Sequence, residues 1–380
     1  MEFNPYNEMK IVQIAPFDES VRPQLQGRTE KLVFTLTEEL VSMGHEVTLF
    51  ARAGSKTSAR LVSVSSDLPG RGDPIQESNC PDLLALSEAF SQGAQHDLIH
   101  SHLDYLTLPF TREAAVPTLV TLHGPLDEPA LPPLYSAYPR VPLVSISDAQ
   151  RRCLSLPGWM GTVRHGLNLA SYPYHAGPGS YLAFLGAISP ENRPDWAIEV
   201  SKRCAIPLKI AGRVSPADRD YFQGTIRPGM AGGPVEYVGD LTDQERGGFL
   251  GGAIALFCPV DRPESFALTM IESMAYGTPV VARPCGSVPE IVREGITGLM
   301  GKGLEELVEA VKRVHPISRK ECRRQTQERF SADVMARNYL KIYESCIHRF
   351  VAPGASPFTS WGPGQKISSN GAGSDTPSSH

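Results

Sequence analysis

Two carboxylates frame the stretch best equipped for chemistry. In Cys258–Gly277, CPVDRPESFALTMIESMAYG, Glu264 sits in a polar turn and Glu272 follows eight residues later. A buried-type apolar run ends at Pro259, and a helical pattern begins near Ser265. If most of that spacing is helical, the carboxylates lie ~12 Å apart, at ~1.5 Å per residue. Two carboxylates so spaced can hold a sugar hydroxyl and a ribose. Between them, the helix start offers the N–H groups of Ser265, Phe266 and Ala267 to an anion. Alone, Glu264 is equally well explained as an acid favouring a helix dipole. The whole stretch reads better as a binding site.

Other polar residues fall at the ends of β-branched runs, where open α/β sheets place their ligands. His123 closes the run TLHG. Asp18 and Glu19 follow the first run; they are acceptor contacts or merely solvated loop residues, and Asp104 and Tyr105 pose the same choice. His100 and His102 alternate at a strand end, so their rings are expected on opposite faces, which disfavours a two-histidine metal site. His165, before a Gly, is either a hinge-side cleft residue or part of a turn. Glu290, after GSVP, either lends its amides to a phosphate or serves as a simple cap.

The elements that must position these residues alternate. Strand-like runs are Lys10–Pro16, Glu46–Phe50, Asp97–His100, Thr118–Leu122, Pro142–Ile146 and Thr162–Arg164. A second series comprises Tyr181–Leu185, Leu208–Ala211, Val235–Val238, Ile254–Cys258 and Pro279–Ala282. Many are apolar on both faces, as buried parallel strands are. Amphipathic stretches such as Arg28–Met43, Arg193–Cys204, Leu268–Tyr276 and Leu304–Val314 separate them. This pattern gives an α/β fold of doubly wound parallel sheets. The Pro- and Gly-rich SYPYHAGPGS, 171–180, reads as a linker between a domain at 1–170 and another at 181–330. A helix at 331–350 is expected to cross back to the first lobe. The polar tail 351–380 is expected to be disordered.

Composition narrows the function. The formal net charge of −5 lacks the basic excess of a chain that binds nucleic acid through phosphates. The seven cysteines show no CxxC pair, so neither a disulfide frame nor a cysteine metal site is expected. The acidic start MEFNPYNEMK lacks signal-peptide character, and no run approaches the ~18 apolar residues of a membrane span. A cytoplasmic location is the default reading. The oligomeric state is not legible.

The stretch around both acids, EsFaLtmiE followed by SMAyGTPVVA, resembles the E-x7-E signature of retaining family 4 glycosyltransferases, which have the GT-B fold of two Rossmann-like domains facing across a cleft. Matching segments run from Lys10 to about His348: GHEVTLFA, DLIHSHLDY, TLHG, SISDAQR, HGL, FLGAISPENRPDWAIE, KIAG and GSVPEIV. The resemblance implies a hexose-like group moved from a UDP- or GDP-sugar, without a metal or other cofactor. Glu264 would face the donor sugar and Glu272 the ribose. Amides near Phe266, Ala267 and Leu268 would meet sugar and phosphate. His123 would approach the reacting sugar, Gly27 the donor phosphate, and Arg213 the base pocket. The acceptor is unspecified; with no basic amphipathic surface helix evident, a soluble one is preferred.

Departures from the family pattern cluster around the donor diphosphate. The chain has Arg28 for the family's usual Gly, Ala187 for Arg, Asn192 for Lys and Ala267 for Gly. Losing two cations there removes charge that stabilises a leaving diphosphate. Three readings compete. Arg28 and Arg193 supply the charge from new directions; the donor has changed, to a smaller glycosyl phosphate or to a glycoside without diphosphate on which a hydrolase or phosphorylase acts in the same cleft; or the chain is a sugar-binding pseudoenzyme.

Overall fold

The computed structural model describes residues 8–21, 28–63 and 79–351. Among them, seven strands form the first sheet: β1 (Lys10–Ile14), β2 (Glu46–Phe50), β3 (Arg60–Val62), β4 (Leu98–Ser101), β5 (Thr118–Leu122), β6 (Leu143–Ser145) and β7 (Trp159–Thr162). Six more form the second: β8 (Tyr181–Leu185), β9 (Leu208–Ala211), β10 (Val235–Gly239), β11 (Ala253–Cys258), β12 (Val280–Ala282) and β13 (Gly298–Met300). Every pairing is parallel, in the orders β3-β2-β1-β4-β5-β6-β7 and β10-β9-β8-β11-β12-β13. The central strands are apolar on both faces because helices cover both. Ile11, Val12 and Ile14 of β1 and Leu256 and Phe257 of β11 are all fully buried. Two short edge strands, β3 and β13, were not expected from the sequence, and β7 lies at Trp159–Thr162 rather than at Thr162–Arg164.

The segment 171–180 is packed rather than loose. Arg319 donates to the carbonyls of His175, Gly251 and Ala253, and Arg323 to those of Leu169, Tyr172 and Ala275. Two half-buried arginines thus fasten the inter-sheet crossing to the second lobe.

The helix Ala332–Val351 returns to the first lobe. It buries Met335, Ala336, Tyr339, Leu340 and Tyr343 against Ile11, Leu36, Val47 and Leu98. The chain enters it beside Gly166 and Leu167. Leu167 N–H donates to the Phe330 carbonyl (2.8 Å), and Ala332 N–H donates to that of Leu167 (2.9 Å). A β-carbon on Gly166 would lie 2.5 Å from the Ser331 carbonyl oxygen, so only glycine allows this approach. The tail expected to be disordered lies beyond Val351, outside the described residues.

Candidate active site between the two sheets

A cavity of about 360 Å³ opens between the lobes. Thr29, Leu32, His123, Pro125, Ile146 and His165 line it from the first lobe. Glu191, Asn192, Val260, Arg262, Pro263, Glu264, Ser265, Phe266 and Leu268 line it from the second.

Glu264 occupies the turn after β11, held from behind. Ser287 N–H donates to its carbonyl oxygen (3.2 Å), and Gly286 lies against it at φ 56°. A β-carbon on Gly286 would fall 2.6 Å from the Glu264 oxygen and 2.7 Å from its nitrogen. The motif GSVP therefore buttresses the turn. The helix after it starts at Leu268, as the amphipathic stretch from Leu268 indicates, and not near Ser265 at the turn. Phe266 is the reason. Its ring is buried, edge-on to His165 (4.9 Å) and Phe330 (6.2 Å), which pins the turn before the helix can begin. Ala267 is non-helical (φ −89°, ψ 80°) and buried in the core rather than lining the cavity. Ser265 donates its hydroxyl to the Gly124 carbonyl of the opposite lobe (3.3 Å).

His123 ends β5 from the other side. Its N–H donates to Asp104 Oδ1 (2.8 Å), and Asp104 has the left-handed backbone (φ 42°) that lets it reach back. Burial pushes the Asp104 carboxyl up to about 6, against the backbone N–H groups of His123 and Gly124 that hold it down. Asp104 positions the His123 loop and does not line the cavity.

The His123 ring is oriented by a buried chain of polar groups. The Gln13 amide donates through Nε2 to Tyr343 Oη (3.0 Å) and presents Oε1 to His102 Nε2 (2.8 Å). Because that oxygen only accepts, His102 carries its proton on Nε2 and leaves Nδ1 bare. His102 Nδ1 then accepts from His123 Nε2 (2.9 Å). The remaining His123 Nδ1 is a buried nitrogen without a partner among the described residues. Burial lowers His123 to about 4 and holds His100, His102 and His165 well below the ordinary histidine range. His123 is therefore neutral, with Nδ1 as a bare acceptor. His165 stacks on it (5.5 Å, 10°) and lines the cavity too.

The rings of His100 and His102 do not point apart. Their centroids lie 4.1 Å from each other, and both meet Gln13. Strand alternation stops at Ser101, the end of β4, so His102 already belongs to the turn. His102 stands behind His123, outside the cavity lining.

Several other candidates are not among the residues that line the cavity. Glu272 is buried and accepts from Tyr172 Oη (3.2 Å), with Lys31 Nζ at 3.7 Å and Arg246 at 3.9 Å. Arg193 is tied to Asp195 (2.8 Å) and Asp261 (2.9 Å) and lies over Trp196 (4.3 Å). Arg213 pairs with Asp240 (3.1 Å) on the surface, and Asp18 is exposed. Asn192 does line the cavity, its amide donating to the Ala187 carbonyl (2.8 Å). Gly27 lies outside the described residues, as does the side chain of Arg28, which opens the helix Arg28–Ser42.

Glu290 proves to be a cap, but for a helix of the other lobe. Its carboxylate accepts from the N–H groups of Asp148 (2.9 Å) and Ala149 (2.6 Å) and from Arg164 (3.1 Å). Sequence reasoning missed Lys31 and Arg262. Lys31 carried no local signal, since its partners lie more than 200 residues away. Arg262, two residues before Glu264, could have been weighed with that turn.

Comparisons with known proteins agree with this architecture. Residues 29–154 match the model "Glycosyltransferase Family 4", and residues 179–315 match "Glycosyl transferases group 1". The chain is 24% identical over 319 residues to the D-inositol 3-phosphate glycosyltransferase of Mycobacterium marinum, spanning 70% of this chain and 67% of that one. Among solved structures it superposes on a glycosyltransferase involved in avilamycin A biosynthesis (TM-score 0.68, 21% identity, 90% of this chain and 98% of that one). It also superposes on the Anabaena protein HepE in complex with UDP and glucose (TM-score 0.65, 15% identity, 89% and 100%). Two parallel Rossmann-like sheets, an acid turn and a histidine meeting in the cleft between them, and family models matched in both lobes lead to one conclusion: the chain belongs to the family 4 glycosyltransferases and has the GT-B fold.

Proposed function

We propose that this glycosyltransferase moves a hexose-like group, with retention, from a nucleotide sugar to a soluble acceptor. The observation that carries the reading is the meeting of Glu264 and His123, from opposite lobes, in one cavity of about 360 Å³. That volume lies within the ~300–1,000 Å³ of small-molecule sites. The mycobacterial relative is named for glycosyl transfer to an inositol phosphate, and the Anabaena neighbour was crystallised with UDP and glucose. The second supports a nucleotide sugar as donor, and the first a small polar acceptor.

In this reading Glu264 accepts hydrogen bonds from donor hydroxyls, and the His123 loop bounds the sugar from the other lobe. Fixing the sugar between two lobes lowers the entropic part of the barrier. The bond from the anomeric carbon to phosphate breaks, the acceptor oxygen bonds to that carbon on the same face, and the departing phosphate takes the acceptor proton. No protein nucleophile and no metal is required. Glu272 would hold the ribose, exchanging part of its interaction with Lys31 for the ribose hydroxyls.

The test is a screen of UDP-, GDP-, ADP- and dTDP-sugars against polar acceptors, with product configuration read by NMR coupling constants and a chelator control. The expected product keeps the donor's anomeric configuration, and chelation changes nothing. An inverted product would refute retention. Donor cleavage that delivers sugar only to water or inorganic phosphate would favour hydrolase or phosphorylase chemistry.

A further inference from the structure

The resemblance implies two cations at the donor diphosphate, Arg and Lys, where this chain has Ala187 and Asn192. The surrounding described cations are already engaged. Arg193 is clamped by Asp195 and Asp261 and stacked on Trp196. Arg283 is paired with the same Asp261 and also lies over Trp196 (5.3 Å). Lys31 and Arg246 face Asp243 and Glu272, and Arg164 faces Asp148 and Glu290.

Arg262 differs from all of them. Among the described residues it is the one Lys or Arg lining the cavity. It stands in the Glu264 turn and shares the cavity wall with Asn192, the position of the missing family lysine. Its acidic neighbour, Glu191, lies 3.6 Å away, and both side chains are more than half exposed, at 52% and 61%. An exposed pair at that distance holds its partners weakly, so Arg262 is available to a stronger anion. Its planar fork matches two phosphate oxygens at once, as a lysine cannot.

We propose that Arg262 is the donor-phosphate cation of this protein, supplying from the Glu264 turn a charge that Ala187 and Asn192 do not. This rests on the nucleotide-sugar reading above. On donor binding, Arg262 leaves Glu191 and pairs with the diphosphate. As the anomeric bond breaks, it neutralises the charge gathering on the leaving group.

Calorimetric titration of the full chain with UDP, GDP, ADP and dTDP identifies the preferred base. That diphosphate and its parent nucleoside are then titrated into variants. Arg262→Ala should weaken the diphosphate about tenfold or more while leaving the nucleoside unchanged. Arg262→Lys should fall between. Adding Ala187→Arg to Arg262→Ala should restore much of the loss, because Ala187 is exposed and an arginine there has room. A folded Arg262→Ala protein with unchanged diphosphate affinity would overturn the proposal, as would equal losses for nucleoside and diphosphate. So would a loss found with Arg28→Gly but not with Arg262→Ala. Those results leave the donor reading standing. Failure of the unaltered protein to bind any nucleoside diphosphate overturns the donor reading, and this inference with it.

Discussion

Lys31 Nζ stands 3.7 Å from Glu272 Oε1 and 3.6 Å from Asp243 Oδ2, reaching from the first helix of one lobe into the other. The same ammonium lies 5.7 Å from the Tyr172 ring centroid. It therefore helps to hold the two lobes together. Replacing Lys31 by Ala should let them separate. Small-angle scattering of the unliganded protein should show a larger radius of gyration, with a stability loss of only about 1 kcal/mol, as befits a partly exposed cluster. An unchanged radius would show that other bridges, such as Glu290 to Asp148, suffice.

Glu264→Gln keeps the shape of the turn and removes a charge facing the cavity. Its loss should raise the barrier by ~1.5–3 kcal/mol, a drop in kcat/KM of roughly ten- to hundredfold. The melting temperature should hardly move. A folded variant with full activity would remove Glu264 from the reaction.

Gly286→Ala tests the buttress behind that turn. The new methyl would press on the Glu264 backbone at 2.6 Å, in a left-handed conformation that favours glycine. The expected cost is about 1–3 kcal/mol of stability. Activity should fall further than folding does, because the displaced backbone is that of Glu264. Thermal melts and kinetics on one preparation separate the two effects.

Acid should weaken the histidine chain. His123 has its folded pKa depressed to about 4, below the ~6.5 of an unfolded histidine. Between those values the unfolded chain binds more protons, so its share of stability is full above about pH 6.5 and drains away as pH falls toward 4. Asp104, raised to about 6, works in the opposite sense. Comparing wild type with His123→Asn isolates the histidine. The wild-type advantage in melting temperature should shrink from pH 7 to pH 5. A constant gap would mean that His123 binds protons equally in the folded and unfolded chain, with no depressed pKa.

The alternation of apolar runs with amphipathic stretches revealed both sheets, because each buried strand announces itself locally. The edge strands β3 and β13 escaped because they are three residues long and lean on neighbours for their definition. The turn at Glu264 and the strand end at His123 were visible for the same local reason. Lys31 facing Glu272, Glu290 capping the helix at Asp148, and Gln13 orienting His102 were not. Each of these pairs joins residues far apart in sequence, and nothing in either partner's own neighbourhood names the other. Alternation also misled where the strand ended one residue before His102.

The return of residues 332–351 to the first lobe bears on how the protein is made. Six residues of this helix, Met335, Ala336, Tyr339, Leu340, Tyr343 and Cys346, complete a core whose remaining buried members, from Met9 to Val163, are synthesised far earlier. Until that helix leaves the ribosome, the first lobe presents an open apolar flank, and Gln13 and His100 lack their tyrosine partner. The lobe translated first is thus finished last, and nascent chains halted near residue 330 should be caught by chaperones with both sheets formed and one unsealed.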